Sequence, residues 1–445
     1  MISETWSALA CAPRSVVGPS VSCWSIHEGM LALKKNDHSD AFDKVLRAIA
    51  EADASGMRRI LSEIDDPSQP QYGTTLLREA IEDDFAVGIT MLIEAGVDPN
   101  RAIEDGADYP KLVAPLRHAI LKGKSAAAIT LLNNGANADQ QDASEASPLE
   151  LAAWHALDDV VEALLQKGAD PNAQNKKGDS YDEGQPCLFT PLHAALTGGS
   201  VDLLVAYGAA VDTKDYEGRT PLHQAAELNM CDAVRALVRH RADVNAKDCE
   251  GATPLVIALE HHSREVSQLL VTLGADVSIP NSRGQYPIHI ASREGDGVNY
   301  LVQRGADVNV NDHTRKTPLH HAAEAGNRAA CEQLLKAGAN IHATDCSGKT
   351  PLFCAAAGGK TDVVSILLNA GADPDMKDRS GMTPLHAAVR YGTPDCAHAL
   401  LACSADVNAT NVHGENALSS ARELNKGQLA SLLMDHGARM PDRSK

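Results

Sequence analysis

Residues 314–343, TRKTPLHHAAEAGNRAACEQLLKAGANIHA, gather their apolar positions into two short blocks parted by a glycine. Thr317-Pro318 opens the first block, with proline at the first helical position, where a missing N–H costs nothing. Gly326 breaks it. The second block runs through Leu334-Leu335, and Gly338 ends it where left-handed backbone is wanted. An extended arm, NIHATDCSGK, then leads to the next Thr-Pro. The pattern predicts two short helices followed by an extended connection.

The same unit recurs along the chain. TPLH begins at Thr190, Thr220, Thr317 and Thr383, and weaker copies begin at Thr253 (TPLV), Tyr286 (YPIH) and Thr350 (TPLF). Fainter ones begin at Thr75, Ala114, Ser147 and Asn416. From Thr190 the spacings are 30, 33, 33, 31, 33, 33 and 33 residues. A fixed period of this size predicts a repeat array, in which each unit buries its apolar face only against its neighbours.

The ends differ from the body. Residues 1–37 carry Trp6, Trp24 and Lys34-Lys35 and no repeat pattern. They are expected to form a disordered arm, with a docking segment built on the two tryptophans as the alternative. Residues 39–66 read as a helix pair, and 38–71 are taken as an N-terminal cap hiding the apolar end of the stack. The array then runs over 72–441 in about eleven units: 72–101, 111–140, 144–173, 187–214, 217–246, 250–279, 283–310, 314–343, 347–376, 380–409 and 413–441.

Tetrapeptide, GAD-type turn and D-x-x-G-x-T hairpin recur in register, as in Asp215-Tyr216-Glu217-Gly218-Arg219-Thr220 and Asp378-Arg379-Ser380-Gly381-Met382-Thr383. In these features the chain resembles the ankyrin repeat family. The resemblance implies an all-α repeat solenoid of helix-turn-helix units, with short β-hairpin fingers and first helices lining a concave face. It also implies a local structural role for the tetrapeptide histidines His193, His223, His289, His320 and His386. The Thr-to-Gly distance falls from 21 residues to 18 in the Thr190 unit and 19 in the Tyr286 unit, a loss of about one helical turn. Extra residues sit in two fingers, around AIEDGADY at 102–109 and KKGDSYDEGQ at 176–185. Insertions in such arrays map to one face, often the binding face.

Composition narrows the chemistry. The formal charge is −19, which argues against direct binding to nucleic acid, where affinity comes from neutralised phosphates. The ten cysteines show no C-x-x-C and no framework, so a reduced compartment, cytoplasmic or nuclear, is expected. No apolar run reaches the length of a membrane span, and no secretory signal is read at the N-terminus. Gly123-Lys124-Ser125 and Gly359-Lys360-Thr361 lack the earlier glycine of a phosphate loop. No zinc-type cluster and no nucleophile elbow is present, and no cofactor or enzymatic role is expected.

Recognition remains. In the resembling family, partners contact the positions four, three and one before the Thr, and seven and eight after it. Here those positions include Tyr216, Glu217, Arg219 and Glu227, then Glu250, Glu260 and His261, then Arg283, Arg293 and Glu294. Lys316, Glu324, Arg379, Met382, Arg390 and Tyr391 continue the set. The expected function is a non-catalytic scaffold or adaptor that binds one or more proteins, without membrane insertion. The alternatives are a transcriptional co-regulator acting through a DNA-binding partner, against which stands the lack of a basic import cluster, and a substrate-recruiting subunit of a ubiquitin ligase, against which stands the lack of an F-box or SOCS-type segment.

Overall fold

A computed structural model describes residues 39–63, 70–104, 112–139, 146–175 and 188–441. The arm at 1–37, residues 105–109 of the first insertion and all of the second lie outside the described residues. The chain divides into two compact units, Met1–Pro115 and Leu116–Lys445.

Among its described residues the first unit holds two helix pairs. Ser39–Ala50 precedes Ala54–Leu61, and Pro70–Glu82 precedes Ala86–Glu94. Val45, Ile49, Met57 and Ile60 are buried in the first pair, and Leu76, Leu77, Ile81, Ile89 and Leu92 in the second. Asp53 caps Ala54–Leu61 by accepting the Gly56 N–H at 2.9 Å. Thr75 does not open a helix as its register predicts; it lies inside one. Leu76 stands where every other copy except Asn416-Ala417 carries proline, and the helix reaches back to Pro70. Ile103–Glu104 pairs antiparallel with Leu112–Val113 at the base of the first inserted finger.

In the second unit, ten helix pairs follow among the described residues. Most first helices span seven or eight residues and most second helices nine. The first helix of a unit packs against its own second helix and against the first helix of the next unit. Their buried faces are small: the Thr383 unit buries Leu385, Ala387, Ala388, Val389, Ala397 and Leu400. Short apolar side chains let short helices approach closely, which is where the alanine-rich composition is spent.

The tetrapeptide works as a capping device. In the Thr220 unit the backbone N–H of Thr220 donates to His223 Nδ1 at 3.0 Å, and Thr220 Oγ1 lies 2.9 Å from the same nitrogen. The Thr220 side chain in turn accepts the N–H of His223. His223 Nε2 then donates to the Ala252 carbonyl of the next unit at 3.1 Å. His193, His289, His320 and His386 repeat this link to the carbonyls of Arg219, Lys316, Lys349 and Glu415. Burial pushes the pKa of His193, His223 and His289 down to about 4 and lowers those of His320 and His386. In the Thr253 unit, Val256 replaces the histidine, and the buried Thr253 hydroxyl is left without a hydrogen-bond partner.

The two shortened units lose their turn in different helices. In the Thr190 unit the first helix is only Pro191–Ala194, and the chain turns extended at Ala195. In the Tyr286 unit the first helix is full, Pro287–Glu294, and the second shrinks to Val298–Gln303. There Gly295 is the left-handed turn residue found at the same place in other units, and Gly297, also left-handed, takes the place where the second helix starts elsewhere.

Candidate partner-binding surface

Each finger from residue 215 onward begins with an Asp or Asn that shapes it. Asp215 Oδ1 accepts the N–H groups of Glu217 and Arg219 at 2.9 and 2.8 Å, and Asp378 Oδ1 accepts those of Ser380 and Met382, both at 2.9 Å. Two residues before the Thr the backbone is left-handed, with Gly251 at φ +71° and Gly381 at φ +76°. Glycine serves a second purpose there, because a Cβ on Gly251 would lie 2.9 Å from the Ser282 nitrogen of the next finger.

That close approach carries a hydrogen-bonded ladder. Cys249 N–H donates to the Glu217 carbonyl at 2.8 Å, Ser282 to Glu250 at 2.8 Å, and His313 to Arg283 at 3.1 Å. Cys346 to Thr314, Arg379 to Ser347 and Val412 to Ser380 continue it at 2.9, 2.9 and 3.1 Å. Six consecutive bonds thus tie each fingertip from Glu217 to Val412 to the next.

The residues expected from the register fall on and beside this ladder, and charge pairing gathers many of them. Arg219 reaches Glu217 at 3.1 Å and Glu227 at 3.0 Å, and Glu227 lies 3.8 Å from His261 of the next unit. The Tyr216 hydroxyl donates to Glu217 at 2.7 Å. Arg293 contacts Glu294 at 2.7 Å and Glu260 at 3.9 Å, and Glu294 lies 3.4 Å from His262. Burial raises the pKa of Glu260. Lys316 pairs with Glu324 across the same offset, one before and seven after the Thr, that joins Arg219 to Glu227. Arg390 lies over the Tyr391 ring, 5.8 Å from its centre. Glu250, Arg283 and Arg379 are exposed fingertip residues, and Met382 is half-buried. Among the described residues those three charges make no ion pair.

Val412 and Leu424, both exposed, stand outside the set expected from the sequence. Extending the register by one unit finds them, four before and eight after Asn416. Lys349, one before Thr350, is also outside that set; its ammonium lies 5.4 Å from the centre of the Phe353 ring.

Other chemistry is sparse. No trio of His, Cys, Asp or Glu among the described residues could hold a metal ion. Gly123 and Gly359 of the two Gly-Lys tripeptides are left-handed turn residues between helices. Cys331 and Cys354 are buried thiols whose pKa burial pushes up to about 12. No described helix is long and apolar enough to cross a membrane.

A family model described as ankyrin repeats matches residues 104–175, 178–248, 242–312, 288–378, 319–411 and 370–444. Mouse Ankyrin repeat and SOCS box protein 11 is 32% identical over 117 residues, 26% of this chain and 33% of that protein. Human Rabankyrin-5 is 35% identical over 129 residues, 25% of this chain and 10% of that protein. The chain spans about a third or less of the curated relatives it matches. A crystal structure of the human ASB11 ankyrin repeat domain matches at 28% identity with a TM-score of 0.46, covering 50% of this chain and 99% of that domain.

Proposed function

Because the chain belongs to the ankyrin repeat family, a fold that generally binds proteins and does no chemistry, we infer that it is a scaffold or adaptor whose fingertips and first helices capture a protein partner. The observation that carries this reading is the ladder from Glu217 to Val412. It holds successive fingertips in fixed register before any partner arrives, and a preorganised surface loses less entropy on binding. The ion pairs of Arg219 and Arg293 add rigidity at the residues expected to make contact. Tyr216 and Tyr391 supply exposed aromatic anchors, the side-chain type in which interface energy concentrates.

The test is capture from lysate by the full chain, read by mass spectrometry. Tyr216→Ala with Arg219→Ala, or Arg390→Ala with Tyr391→Ala, should weaken capture while leaving the circular-dichroism melt in place. Deletion of residues 1–37 should leave capture intact. If that deletion abolishes capture while both fingertip variants bind normally, the reading fails. The partial likeness to Ankyrin repeat and SOCS box protein 11 favours a second reading, recruitment of a substrate to a ubiquitin ligase. In that case a ligase component stays bound to the fingertip variants while the substrate is lost.

A further inference from the structure

Cations on the finger side are treated differently in two stretches of the array. In the upstream stretch Arg219, Arg293 and Lys316 each have a carboxylate partner, and the fingertip Arg283 stands alone among them without one. Downstream, Lys349 stands one before its Thr like Arg219 and Lys316, Arg390 stands seven after like Arg293, and Arg379 sits on the fingertip, yet none forms an ion pair with a described carboxylate. The cause lies in the sequence. Seven residues after the Thr, where Glu227 and Glu324 receive their cations, the next two units carry Ala357 and Arg390. The fingertip carboxylates of Asp345 and Asp378 are already engaged by their own backbone N–H groups. Beside these cations stand the most exposed apolar side chains of this stretch, Tyr391 at 63% and Val412 at 66%.

A local excess of unpaired positive charge is notable in a chain of net charge −19. We propose that the finger side of the Thr350 and Thr383 units is the docking site for an acidic segment of the protein partner. Its carboxylates meet Lys349, Arg379 and Arg390, and an apolar side chain covers Tyr391 and Val412. This rests on the capture function inferred above and names the partner's chemistry. Charge complementarity selects the occupant, because opposite charge steers encounter and fixes orientation. A nucleic acid fits less well. It needs an unbroken run of cations along its phosphates, and Glu415 and Glu423 close this patch on its far side.

The experiment uses the full chain as bait for a displayed random-peptide library. The expected winners are rich in Asp and Glu with at least one aromatic or large aliphatic residue. The best of them should lose at least tenfold affinity on Arg379→Glu with Arg390→Glu, less on the double Gln variant, and weaken with added salt. Both variants change exposed residues, and an unchanged thermal melt confirms their fold. Winners that are basic, or that bind the double Glu variant equally well, overturn the proposal. So does a single-stranded oligonucleotide that outcompetes them. Acidic winners lost only on Tyr216→Ala with Arg219→Ala move the site upstream and leave the capture function standing. A bait that enriches no peptide by any face contradicts both.

Discussion

Left-handed backbone shows where single residues matter. Among the described residues nine glycines that end second helices have φ between +87° and +100°, and a Cβ on eight of them, Gly135 to Gly437, would meet nothing within 4 Å. Arg241 and Ser404 take this position in their units at φ +68° and +63°. The strain there is conformational and not steric, and glycine relieves it. Arg241→Gly and Ser404→Gly should each stabilise by roughly 0.5–1 kcal/mol in urea melts, less the entropy glycine adds to the unfolded chain. A lower midpoint in either variant would count against this. These two positions were legible because the GAD turn marks the register. Ala156, His262 and Arg315 are left-handed as well and were not singled out, although the register marks them too: Ala156 and His262 stand where other units carry Gly326 or Gly359, and Arg315 takes the glycine place of the D-x-x-G-x-T hairpin. The orphaned Thr253 hydroxyl yields a second prediction. Thr220→Val should cost roughly 1–2 kcal/mol through loss of its cap and of the bond to His223, whereas Thr253→Val should be close to neutral. Equal losses in the two would mean that Thr253 has a partner.

At the scale of elements, the helix starts were legible and the helix lengths were not. Proline after a capping residue is a local signal, and it sets the first helix in most units from Ala114 onward. Where that proline is missing, the prediction failed at Thr75 and held at Asn416, whose side chain caps Ala417–Glu423 by accepting the Ser419 N–H. The loss of a turn at Thr190 and Tyr286 was visible as spacing, but spacing is blind to which helix shortens. Packing decides it, through the extended Ala195 in one unit and the Gly295/Gly297 pair in the other. A four-residue helix at Pro191–Ala194 holds barely one turn of internal hydrogen bonds. Amides around 188–210 should therefore exchange with deuterium faster than those of 220–400, because opening free energy follows local packing. Equal protection across both stretches would contradict this.

Across the whole molecule the tetrapeptide histidines act together. Each is buried and neutral, so its folded pKa lies below the unfolded value of roughly 6.5. Protons then bind the unfolded chain preferentially between about pH 6.5 and 4, and stability present above 6.5 is lost as pH falls through that window. His193, His223 and His289, pushed down to about 4, can each remove on the order of 3 kcal/mol when the window is fully crossed. Glu150 acts oppositely: burial raises its pKa to about 7, so its contribution is lost as pH rises through 7. The histidines outnumber it, and urea midpoints should fall steadily from pH 6.5 to 4.5, less steeply in a His193→Gln, His223→Gln variant. A flat or rising profile would refute that balance.

The array itself was legible from its period, because stacked units must repeat to bury one another. The charge pairs between Arg219 and Glu227, or Arg293 and Glu260, were not, because they join positions eight and 33 residues apart that only the folded stack brings together. The central claim, that the finger side captures the partner, is tested most directly by hydrogen exchange of the full chain with and without the partner it captures. The account predicts new protection in the finger segments at 215–219, 312–316 and 378–382 and around Tyr391. Protection confined to residues 1–37, or to the second helices alone, would contradict it.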